Sequence, residues 1–203
     1  DDALLATVLM SLGVLEERVG QPHEAARRLE RAAQLARQVH GPSHVRTREI
    51  SLELGRLLVK MDRCADARTV FVEVEAAAPP GPDRHLAAVK VAQTMLCLED
   101  VEGAARKSTE AFESLLVGTD AVSSRALLEA TPIHATVARY RWGPDAAMEV
   151  YARGLDRLEQ SLGSDSPKLD RCRRAHAHAL EGAGRLDEAE EGLRGILARR
   201  AEA

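Results

Sequence analysis

The chain has 203 residues, 45% of them apolar but only 2% aromatic, and a formal net charge of −4 with acids and bases interspersed. Ala, Leu and Val dominate the apolar set and no alternating β-branched run is visible, which points to an all-α fold. The mild charge argues against a direct nucleic-acid binder, and no apolar stretch approaches the length of a membrane span.

The chain opens "DDALLATV" without an initiator Met, as a processed protein or an excised piece of a longer one would. No charged-then-apolar leader is visible, so no signal peptide is expected. Cys64, Cys97 and Cys172 are far apart and odd in number. That argues against a disulfide framework or a four-cysteine zinc site, and for small buried side chains in a reducing cytoplasm.

Taken in order, the chain repeats itself. The first unit, 3–40, carries "SLGVLEERVGQPHEAARRLERAAQLA", with a turn at Gly20 and Pro22 between two helical patterns. Units over 44–79, 83–117, 121–162 and 167–200 follow. Their register is set by Ala25, Ala67, Ala104, Ala147 and Ala189, spaced by 42, 37, 43 and 42 residues. Four residues after each alanine stand Leu29, Phe71, Ser108, Tyr151 and Leu193; seven after it stand Ala32, Val74, Ala111, Gly154 and Ile196. That spacing is one face of a helix. Twelve residues before each alanine stand Gly13, Gly55, Ala92, Ala135 and Ala177. All are small, as a close helix crossing requires. Pro22 and Pro144 suit a helix's first turn, where a missing N–H costs nothing. Longer links, "HGPSH" (His40–His44), "APPGPD" (Ala78–Asp83), "VGTD" (Val117–Asp120) and "GSDSP" (Gly163–Pro167), separate the units.

These words resemble the tetratricopeptide repeat (TPR) family. They include "LELGRLL" with "ADARTVFVEVEAAAP" in the second unit and "AHALEGAGRLDEAEEGL" in the fifth. The period of about 42 residues exceeds the usual 34 and looks like the kinesin-light-chain style of repeat. The resemblance is weaker in unit three, where Ser108 replaces a large apolar residue, and in unit four, where Pro132 is out of place. It implies a right-handed α-solenoid of about five helix-turn-helix pairs, one domain over 1–203, alone or as part of a larger protein. It further implies a concave groove that binds proteins or peptides, with no catalytic, cofactor or metal residues to carry over. The Ala- and Arg-rich composition points weakly to a bacterial source.

In that family the first helix of each pair lines the inner surface. Helical spacing places Met10, Val14 and Glu17 there from unit one, and Glu49, Leu52, Arg56 and Lys60 from unit two. Unit three gives Val89, Gln93 and Leu96, unit four Thr136, Arg139 and Tyr140, and unit five Arg171, Arg174 and His178. The face is mixed and apolar at first and basic at the end, which favours a partner with an acidic segment or a free carboxylate. The last helix, ending "LRGILARRAEA", has no successor to cover it, so self-association there is an expectation.

Other constellations read as structure. His40 and His44 have the spacing of a helical metal pair, but Gly41 and Pro42 break the helix between them, and Ser43 reads as the N-cap of the next. His134 and His176 fall at core-facing positions, as buried histidines with a pH-sensing role as the sharper alternative. Pro132 is expected to kink or restart its helix. Tyr140, Trp142 and Tyr151 form the one aromatic concentration, with Tyr151 assigned to the core. The leading functional expectation is a noncatalytic binding scaffold within a larger regulatory or assembly protein. The alternatives are a ligand- or peptide-sensing domain controlling an attached ATPase or DNA-binding effector, and a divergent enzyme or enzyme accessory on a helical-repeat scaffold.

Overall fold

The computed structural model describes residues 2–201. Among them the chain forms ten α-helices and one 3-10 turn, Pro167–Leu169, with no strand. Helix α1 (Asp2–Arg18) packs against α2 (Pro22–His40), and α3 (Val45–Lys60) against α4 (Cys64–Ala77); α5 (Pro82–Cys97) ends the first compact unit and α6 (Val101–Val117) opens the second. The remaining pairs are α7 (Ala121–Trp142) with α8 (Pro144–Leu162), and α9 (Asp170–Gly182) with α10 (Leu186–Ala201). Two compact units result, Asp1–Glu99 and Asp100–Ala203. No described helix is long and apolar enough to cross a membrane.

The repeat positions explain the packing. Ala25, Ala67, Ala104, Ala147 and Ala189 are all buried, and so are Leu29 and Phe71 four residues on. The small residue on the facing helix makes room for them. A Cβ on Gly55 would lie 2.3 Å from the Phe71 ring, and one on Gly13 3.0 Å from Leu29. Any larger residue there must push the helices apart.

Four of the five tight turns share one backbone position. Five residues before the repeat alanine, Gly20, Asp62, Glu99 and Gly184 take φ of 81°, 61°, 65° and 78°. Gly does this freely, whereas Asp62 and Glu99 hold a left-handed conformation that costs an L-residue roughly 1 kcal/mol.

Four expectations are corrected. Cys64 and Cys97 form a disulfide, with Cα atoms 6.2 Å apart. Sequence distance hid this: Cys64 starts α4 and Cys97 ends α5, and antiparallel packing brings those two ends together. The cysteine argument for a reducing compartment falls with it. Pro132 does not restart a helix; α7 runs unbroken from Ala121 to Trp142. The N-cap of α3 is His44, whose Nδ1 accepts the Arg46 N–H at 3.2 Å, while the Ser43 carbonyl accepts from Arg48. Val89 is fully buried, so it offers nothing to a binding surface.

Candidate functional site

In the first unit the first helices of repeats one and two bring together three of the residues assigned to the inner face. Glu17 of α1 accepts two bonds from the Arg56 guanidinium and a third from Lys60 Nζ at 2.7 Å, both on α3. Arg56 also donates to Glu53 at 2.9 Å. The Arg56 hydrogen bonds hold the Glu17 carboxyl down to about 2, against the opposing effect of burial. Two acids and two bases thus neutralise one another, and no charge is left over for a ligand. Around this cluster, Met10, Val14, Glu49, Leu52, Gln93 and Leu96 are partly buried.

The second unit is different. Thr136, Arg139 and Tyr140 on α7, and Arg171, Arg174 and His178 on α9, are all exposed. Thr136 turns its hydroxyl to the Pro132 carbonyl at 2.9 Å, and His178 Nδ1 stands 3.4 Å from Glu181. Among the described residues, Arg139, Arg171 and Arg174 have no ion-pair partner. Arg139 instead lies over the Tyr140 ring, 5.0 Å from its centroid. The next residues repeat the arrangement, with Arg141 5.8 Å from the Trp142 ring. Arg141 is held by Glu102 at 2.7 Å. Tyr140 and Trp142 are 61% and 52% exposed, large for aromatic side chains. Arg stacked on an exposed aromatic is the composition of an interface anchor.

Beneath this surface the two unusual histidines resolve into packing. His134 is buried, its Nδ1 is 3.0 Å from Ser108 Oγ, and its ring lies 4.6 Å from Phe112. Burial pushes it down to about 4, so it is neutral near pH 7. His176 is half-buried against Tyr151 at 5.0 Å and is likewise lowered by burial. Ser108 sits where other repeats have a large residue because His134 fills the space opposite.

Two other places could have carried chemistry. Asp62, Cys64 and Cys97 bring ligand atoms within 4.8 Å of one another, but the sulfurs are bonded to each other and offer no thiolate. An open cleft of about 540 Å³ beside the "HGPSH" link is lined by Pro42, Ser43, Thr47, Ser51 and the exposed Arg37–Glu73 ion pair. His40 and His44 stack there at 4.4 Å.

Residues 4–79 match the tetratricopeptide repeat family. No curated protein matches the chain in sequence. Among solved structures, the chain is similar to a Podosopora anserina protein of nearly identical TPR-like repeats, described as a kinesin light chain, and to a form of that protein with a single substitution. The substituted form has a TM-score of 0.63 at 17% identity, covering 99% of this chain and 96% of that one. BtubC (BKLC) from P. vanneervenii gives 0.61 at 17% identity, covering 99% and 82%. At such identity the likeness is one of fold.

Proposed function

We propose that the chain, whose residues 4–79 match the tetratricopeptide repeat family, is a noncatalytic scaffold that binds a protein partner through the first-helix faces of its fourth and fifth repeats. The observation that carries this reading is the contrast between the two units. Arg56 and Lys60 are closed on Glu17, while Arg139, Arg171 and Arg174 stand exposed without ion-pair partners among the described residues, Arg139 lying over exposed Tyr140. Unpaired guanidinium groups recognise carboxylates in a planar, two-bonded geometry. The partner is therefore a segment rich in Asp and Glu, or one that ends in a free carboxylate. Such a binder serves as one part of a larger regulatory or assembly protein.

The test is calorimetry of a short Asp/Glu-rich peptide with a free C-terminal carboxylate, with a Lys-rich peptide as control. Arg139→Glu combined with Arg174→Glu is expected to weaken the acidic peptide by at least about tenfold and leave helicity intact. Unchanged affinity would overturn the placement.

A further inference from the structure

The Cys64–Cys97 bridge has a third group beside it. Asp62 Oδ1 stands 3.8 Å from Cys97 Sγ, and the ligand atoms of Asp62, Cys64 and Cys97 lie within 4.8 Å of one another. All three residues belong to the first compact unit, where the start of α4 packs on the end of α5. The carboxylate does nothing for the bridge, because a disulfide sulfur has no proton to donate to it. Nor is it engaged elsewhere. Among the described residues Asp62 has no ion pair, and its neighbour Arg63 turns to Asp66 and Glu30. Holding it there costs backbone strain, since Asp62 takes φ of 61° at the turn position that Gly20 and Gly184 occupy in other repeats.

Reduction changes what this trio is. Cys97 is exposed and Cys64 is buried, so a dithiol reductant attacks Cys97 Sγ. The Sγ–Sγ bond breaks and a mixed disulfide forms. Cys64 leaves as a thiolate at the first residue of α4, where N–H groups without intrahelical partners favour an anion. The reductant's second thiol then displaces Cys97. The cysteine pair has gained two electrons, and the reductant has lost them in closing its own disulfide. Two thiolates and one carboxylate now share one place, and their mutual repulsion calls for a cation.

We propose that the reduced Cys64–Cys97 pair and Asp62 form a zinc site, which the disulfide closes. The donor set fits: thiolates with one carboxylate suit Zn(II), whereas an all-oxygen set would suit Mg(II) or Ca(II). The spacing fits too. A tetrahedral zinc with ordinary bond lengths puts a thiolate sulfur and a carboxylate oxygen about 3.6 Å apart, and two sulfurs about 3.8 Å apart. The first distance is close to the separation of Cys97 and Asp62. The second is reached by side-chain rotation, because the Cα atoms already stand 6.2 Å apart. Water takes the fourth position, on the side where Asp62 and Cys97 are exposed. Zinc displaces the two thiol protons and so exchanges a covalent tie between α4 and α5 for a metal tie. This inference does not rest on the partner-binding reading, which uses residues of the second unit.

The test is metal titration of the 203-residue chain in two states, oxidised, and reduced with a phosphine that is then removed without air. Co(II), as a spectroscopic stand-in, should give the thiolate charge-transfer absorption of a tetrahedral site with the reduced chain only. Zn(II) should displace it at one ion per chain. It should also raise the thermal midpoint of the reduced chain and leave that of the oxidised chain unchanged. Asp62→Asn, which tolerates the left-handed turn, should weaken binding to the reduced chain at least about tenfold. Cys172→Ser should leave binding as it is. A reduced chain that gives no charge-transfer band overturns the proposal, whether or not it stays helical. So does equal affinity in Asp62→Asn, which would leave a bare thiol pair, and so does equal binding by the oxidised chain, which would place the metal elsewhere. Arg139→Glu with Arg174→Glu should not change metal binding, so the two proposals fail separately.

Discussion

His134 shows how a buried residue ties stability to pH. Burial lowers its folded pKa to about 4 from the ordinary 6.5, with the Glu113 charge opposing and the Arg153 charge assisting. The unfolded chain therefore binds the proton more readily than the folded one. Stability is full above about pH 6.5 and is lost as pH falls towards 4, by up to about 3 kcal/mol. Urea titrations at several pH values should show that fall in wild type, and His134→Gln should flatten it. Ser108 and His134 each look irregular in the sequence, one too small for its repeat position and one too polar. The hydrogen bond at 3.0 Å makes each the reason for the other. The sequence marks His134 as core-facing, but its partner lies 26 residues away and only packing identifies it.

At the scale of the element, the disulfide is the feature with the largest consequence. It joins the start of α4 to the end of α5 across 33 residues and restrains the unfolded chain over that loop. Loop closure of this size is worth about 3–4 kcal/mol. Cys97→Ser, at the exposed end of the bridge, is expected to lower thermal stability accordingly. A thiol reductant should reproduce the loss in wild type and add nothing to the variant. Helix α7 carries a different lesson. Pro132 removes one intrahelical donor, yet the helix continues because its buried face, Leu127, Ala130, Thr131, His134 and Ala135, is packed on both sides of the proline. Tertiary burial outweighs a local helix breaker.

At the scale of the whole molecule, contacts inside each of the two compact units run mainly between helices adjacent in the chain. Stability is then a sum of neighbouring terms, and damage should stay local. Phe71 fills the space over Gly55 and is fully buried, so Phe71→Ala should cost about 3–5 kcal/mol. Hydrogen exchange should rise most in α3 and α4 and least in α9 and α10. Uniform loss of protection along the chain would contradict this additive picture. The helix pairs were legible in the sequence because their signals are local: a period of about 42 residues, Gly and Pro at the turns, and a small residue facing a large one. Those signals act within one repeat or between neighbours, so the linear order of residues determines them. The tertiary structure alone decided which charges are spent and which are free. Glu17 meets Arg56 and Lys60 39 and 43 residues away, Cys64 meets Cys97, and Val89 withdraws into the core. Each outcome depends on the distance between two packed helices, and helical periodicity says which way a residue points without saying what it will meet.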